Sequence, residues 1–214
     1  MRTSLCSAAL LAALTTPLAA QYDADKPAAG GGAVPAGWTV RADRGDAKNA
    51  KVVSMGQGLH LTLGPAIILY RSDTKGSGPF HTLATFTQTK PSEHPEGYGL
   101  FVGGQGLEGD AQQYIYFLVR QDGSYLIKRR SGDKTSDVSK GWVQHAAVKK
   151  PDAKGSATNL LEVDHKRDAD TVAFLVNGQK VYATAAKGMP LDGIVGLRVN
   201  HNLDLHVEGF AVHR

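Results

Sequence analysis

The chain has 214 residues, of which 42% are hydrophobic and 21% charged, and a net charge of +4 at pH 7. So mild a balance does not argue for a nucleic-acid or anionic membrane-surface partner. The lone cysteine, Cys6, excludes a disulfide framework, so a single domain of this size must be held together by packing.

Residues 1–20, MRTSLCSAALLAALTTPLAA, combine one Arg, an apolar run and small residues ending at Ala19-Ala20. This is the pattern of a secretory signal peptide, so a secreted or periplasmic location is expected. The run is shorter than the roughly 20 apolar residues a bilayer span needs, and no membrane span is expected. Residues 21–36, QYDADKPAAGGGAVPA, are rich in Gly, Ala and Pro without apolar periodicity and read as a flexible leader. Residues 37–214 read as one domain without a fixed-period repeat.

From Trp38 onward, short apolar runs alternate with polar residues and are bounded by Gly, Asp, Asn or Pro, the signature of strands. In GLHLTLG, Leu59, Leu61 and Leu63 share one face and His60 and Thr62 the other. AIILYR and FHTLATFTQTK follow. In QQYIYFLVR, Ile115, Phe117 and Val119 alternate with Tyr114, Tyr116 and Arg120. The turn Gln121-Asp122-Gly123 leads into SYLIKRR. In TVAFLVNGQKVYAT, Asn177-Gly178 marks a two-residue hairpin, because these residues accept the positive φ of a type I′ turn. GIVGLRVN and LDLHVEGFAVH close the chain; apolar spacing shifts at Glu208-Gly209, which predicts a bulge. About twelve short strands with no interleaved helix give an all-β fold, an antiparallel β-sandwich of jelly-roll type.

The segment Gly104-Gln-Gly106-Leu-Glu-Gly109 fits G-x-G-x-x-G. A dinucleotide fingerprint needs a helix after the glycines, whose N-terminus holds the pyrophosphate. Here the alternating Tyr114–Phe117 stretch follows, so residues 103–110 read as an inter-strand loop. No cofactor is expected.

These strands resemble those of the concanavalin A-like lectin/glucanase superfamily. The likeness lies in YGLFVGG, YIYFLVRQDGSYLIKRR, NLLEVDHKRDADTVAFLVNGQKV and DGIVGLRVNHNLDLHVEGFAVH. It implies a large jelly roll whose concave sheet carries the ligand. Two enzymatic branches can be compared. The laminarinase-type glycosidases carry Glu-x-Asp-x-x-Glu on one strand; here Glu162-Val-Asp164 runs into His165-Lys166-Arg167, without the second Glu. The 3-keto-disaccharide hydrolase-like branch is nearer in form, although only Gly37-Trp38 matches its usual opening.

Glu162 and Asp164, two apart on a strand, share a face about 7 Å apart. A retaining glycosidase needs carboxyls about 5 Å apart, and the pair reads either as acid and base or as a solvated face beside Lys166 and Arg167. Of eight histidines, His201, His206 and His213 lie near the C-terminal end, with His206 and Glu208 on one face. Their spacing specifies no zinc site, and Glu108 and Asp110 are too few for calcium; no metal is expected. The face of Tyr114, Tyr116 and Arg120, joined by Arg198 and Asn200 from GIVGLRVN, suits a sugar, with rings for C–H faces and polar groups for hydroxyls. The same rings suit a second apolar layer, which leaves two readings of this face. The expected partner is a carbohydrate or another extracellular ligand, bound without catalysis. The alternative is a glycoside-processing hydrolase using Asp164 or His206.

Overall fold

The computed structural model describes residues 25–214. The signal-peptide expectation and the first residues of the leader lie outside the described residues. The strands are β1 (Thr39–Ala42), β2 (Ala50–Met55), β3 (Gly58–Leu63), β4 (Ile67–Gly76), β5 (His81–Gln88), β6 (Gly97–Gln105), β7 (Gln113–Arg120), β8 (Ser124–Ser131), β9 (Lys134–Asp137), β10 (Val143–Gln144), β11 (Ala157–Asp164), β12 (Thr171–Val176), β13 (Gln179–Ala185), β14 (Gly193–Val199) and β15 (Asp204–His213). One 3₁₀ turn, Ala47–Asn49, is capped by Asp46, whose Oδ1 accepts the Lys48 N–H at 2.9 Å.

The strands form two antiparallel sheets. One has eight strands, in the order β1-β4-β14-β6-β7-β8-β10 with β9 on β8; the other has seven, in the order β13-β12-β11-β5-β15-β3-β2. Period-2 alternation sends one set of side chains from each sheet into a shared core. Leu59, Leu61 and Leu63 of β3 are buried there, as are Ile115, Phe117 and Val119 of β7 and Leu197 and Val199 of β14. The architecture is an antiparallel β-sandwich, all β apart from the single 3₁₀ turn among the described residues.

The turn chemistry matches the sequence. Asn177 (φ 52°) and Gly178 (φ 76°) both sit in the left-handed region and join β12 to β13. On β15 the register shifts between Glu208 and Ala211, with Gly209 at φ 64°. The Gly-rich segment leads into a strand, since β7 follows it, but Gly103 and Gly104 belong to β6 and only residues 106–112 form the loop.

The leader differs from its expectation. It forms no strand, yet its backbone is tied down over the described residues. Lys26 N donates to Asn202 Oδ1 (2.8 Å), Ala28 N to Asn49 O (3.0 Å) and Gly32 N to Ala50 O (3.0 Å). Composition predicts no core contribution for such a segment, but its N–H groups still find acceptors on the domain.

Candidate functional site

The outer face of the eight-stranded sheet is concave, and one carboxylate demonstrates it. Asp43 extends edge strand β1, its N–H donating to Ala66 O at 2.9 Å. Its carboxylate accepts from Arg198 Nη1 (2.7 Å) and Nη2 (2.6 Å) on β14, and from Arg130 Nη1 (3.1 Å) on β8. In a flat sheet, β1 and β8 would lie five strand spacings, about 24 Å, apart. An Arg and an Asp side chain cannot span that, so the sheet curls and its hollow is bridged by this ion network.

A second apolar cluster lines the hollow: Ile68, Tyr70, Phe101, Leu107, Tyr114, Tyr116, Leu118 and Leu126. Leu107 comes from the Gly-rich loop, which folds over the face. Arg41 of β1 holds the loop there by donating to Leu107 O (2.6 Å) and Gly109 O (2.9 Å). The G-x-G-x-x-G segment is therefore a cover for the concave face.

This corrects the expected recognition surface. Tyr114 and Tyr116 do point away from the main core, as alternation requires, but Tyr114 is 0% and Tyr116 9% exposed. Neither ring is an open stacking platform; both belong to the second apolar layer. The pattern of one strand reports which face a side chain takes, whereas the loop that covers that face comes from elsewhere in the chain. Arg198 joins the two tyrosines, its guanidinium 5.8 Å from the Tyr116 ring centre. Arg120 does not: it pairs with Asp122 at 2.6 Å and lies over Trp142 at 4.2 Å, at the far end of β7. Asn200 also stands apart, donating to Glu96 Oε2 at 3.2 Å.

The electrostatics follow from burial. Burial alone would push the Asp43 carboxyl up, but Arg198 and then Arg130 outweigh it and hold the group below the usual carboxylate range. Burial raises the Tyr114 hydroxyl against the pull of Arg198, so it stays protonated and able to donate at neutral pH. The hydroxyls of Tyr70 and Tyr114 and Nε of Arg198 are buried without a hydrogen-bond partner among the described residues. Unsatisfied buried donors are costly, and three of them gather on this one face.

Beside the network opens a cleft of about 280 Å³, walled by Asp25, Asp43, Arg44, Arg130, Asp133 and His201. Sequence reasoning missed it, because Asp25 comes from the leader, Asp43 and Arg44 follow β1, and Asp133 lies in the β8–β9 turn. His201 bridges Asp25 (3.2 Å) and Glu96 (2.8 Å), so Asn200 acts on the cleft only through Glu96.

The other candidates scatter over the outer face of the seven-stranded sheet. Glu162 meets His81 at 3.0 Å, while Asp164 accepts the N–H groups of Lys166 and Arg167 and pairs with Arg167 at 2.9 Å. Each carboxylate has a separate structural partner. His206 pairs with Glu208 at 2.9 Å, His213 stacks on His81 and His201 lies in the concave cleft. Across β5, Asp164 stands opposite His81 and His206 opposite Thr87, six residues and so about 20 Å apart. The two hydrolase candidates do not share a centre. Among the described residues no three His, Cys, Asp or Glu side chains gather as metal ligands, and no helix is long and apolar enough to cross a membrane.

No family model matches the sequence, and no curated protein matches it. Solved structures do match the two curled sheets. The carbohydrate binding module CBM66 from Bacillus subtilis superposes with a TM-score of 0.59 at 10% identity, covering 83% of this chain and 96% of that one. The fold is a concanavalin A-like jelly roll. A Bacillus licheniformis β-glucanase shares this jelly roll at a TM-score of 0.56 and 10% identity, over 86% of this chain and 94% of that one. The carbohydrate recognition domain of Emp47p shares it at 0.55 and 11%, over 85% and 90%. At such identities the likeness concerns the jelly roll itself, which hosts both binding modules and enzymes.

Proposed function

We propose that the protein is a secreted or periplasmic carbohydrate-binding domain that holds a saccharide in the concave cleft without cleaving it. The observation that carries this reading is the cleft itself: a hollow of about 280 Å³ walled by the carboxylates of Asp25, Asp43 and Asp133 and the guanidiniums of Arg44 and Arg130, with Asp43 and Arg130 already paired at 3.1 Å. Paired acceptors and forked donors suit neighbouring sugar hydroxyls, each of which donates and accepts. Two structures of the same fold, CBM66 and the Emp47p domain, are named for carbohydrate binding, which supports this ligand class.

The test is a glycan array followed by titration calorimetry on the best hit. Asp133→Ala and Arg44→Ala should each weaken binding about tenfold, the loss of one charge-assisted hydrogen bond. Arg120→Ala, remote from the cleft, should leave it unchanged. Wild-type affinity in both cleft variants, or no glycan bound at all, overturns the reading. Chromatography of the glycan after incubation should return it intact. Secretion is checked by mass spectrometry of exported protein, whose N-terminus should be Gln21.

A further inference from the structure

A second and larger cleft, about 820 Å³, opens on the seam between the two sheets, away from the concave face. It exists because two ladders break at the same place. The β14–β4 pairing jumps from Gly196↔Tyr70 to Ile194↔Lys75, so residues 71–74 bow outward. The β15–β5 pairing breaks between Glu208 and Ala211. Between the two breaks the surface is indented as far as the buried core residues Leu59, Leu197 and Val207, which border the cleft.

The walls are two half-buried rings, Trp38 and Phe210, with centres 5.8 Å apart and planes tilted by 43°. The rim is cationic. Arg71 is neutralised by Asp73, two hydrogen bonds of 3.2 Å joining them. The Lys75 ammonium has no ion-pair partner among the described residues, and the Arg214 guanidinium donates only to Lys75 O, at 3.2 Å. Among the described residues neither cation pairs with an Asp or Glu side chain, and both line the same cleft as the two rings.

We propose that this seam is a second binding site and that it takes a uronic-acid residue of an acidic glycan. The C–H face of the sugar ring lies against Trp38 and Phe210, which supply flat apolar area, and the carboxylate is met by Lys75 and Arg214. The cleft volume falls within the range of small-molecule sites, about 300–1,000 Å³. No residue of the concave cleft contributes, so the two sites are independent.

The experiment uses a Trp142→Phe background, which leaves Trp38 as the sole tryptophan, because the chain has two. Trigalacturonate is titrated against Trp38 fluorescence, with its methyl ester and decanoate in parallel. A saturable change is expected with trigalacturonate. It should weaken about tenfold in the Lys75→Ala/Arg214→Ala double variant and with a rise in ionic strength from about 0.05 to about 0.5 M. It should persist in Arg130→Ala, which disables the concave cleft. Absence of binding, equal binding of the methyl ester, or an affinity unchanged in the double variant overturns the proposal. Loss in Arg130→Ala would assign the anion to the concave cleft instead. Displacement by decanoate at equal concentration would identify the occupant as an amphiphile rather than a sugar. Lys75 and Arg214 are exposed, so their replacement leaves the fold in place.

Discussion

Arg198 shows how one side chain can be read correctly and still be assigned the wrong task. Alternation in GIVGLRVN places it opposite Val195, Leu197 and Val199, and the structure agrees. Its partner Asp43, however, is 155 residues away in sequence, and no local pattern encodes that meeting. The network should dominate the acid response of the domain. Asp43 has a lowered folded pKa, so its contribution is complete above its unfolded value, near 3.9, and is lost as pH falls through the lower folded value. Asp43→Asn leaves Arg198, its side chain 8% exposed, without a counter-charge. The cost should be about 3 kcal/mol at pH 7. Urea unfolding between pH 7 and pH 2 checks both parts: the gap between wild type and variant should hold to about pH 4 and close only in stronger acid.

At the scale of elements, the β12–β13 hairpin shows which turns a sequence announces. Asn177-Gly178 was legible because few other pairs accept two successive positive φ values. What the dipeptide did not announce is the second task of Asn177. Its Oδ1 accepts Leu160 N (3.0 Å), while Nδ2 donates to Ala147 O (2.8 Å) and to Asn159 Oδ1 (2.9 Å). Asn159, fully buried, in turn accepts Lys149 N (2.8 Å) and donates to the Tyr98 hydroxyl (3.2 Å). The hairpin is thereby tied to β11, to β6 and to the loop at 145–150. Asn159→Ala strands several buried polar groups and should destabilise by about 3 kcal/mol. Gly178→Ala meets no atom within 4 Å and pays only for backbone strain, about 1 kcal/mol. Urea midpoints of the two variants measure the contrast; equal losses would mean that the turn, not the network, holds the hairpin. The Gly-rich loop is the converse case. The alternating residues after its glycines told correctly that no helix follows, while its role as a cover depends on Arg41.

For the whole molecule, the leader and the curl of the eight-stranded sheet matter most. Asp25 belongs to the cleft wall, and residues 25–36 bond the domain at Asn202, Asn49 and Ala50. Removal of everything before Gly37 should lower Tm by about 4 °C, as expected for a loss of about 1–2 kcal/mol in a domain of this size, and should weaken glycan binding at the concave cleft. Calorimetry on the truncated and full chains reads both; an unchanged Tm would show that the leader's bonds contribute nothing. The sequence by itself determined most of the strands, about twelve of the fifteen, with their inward and outward faces, the Asn-Gly hairpin, the β15 bulge and hence the sandwich. These follow from period-2 burial and from φ preferences, which act within a few residues. Only the tertiary structure decided that the sheet curls, that Tyr114 and Tyr116 are buried in a second apolar layer with Leu107, and that Asp25, Asp43, Arg130 and His201 share a cleft. Those facts arise from contacts between segments far apart along the chain, where side-chain reach and sheet curvature, rather than local pattern, select the partners.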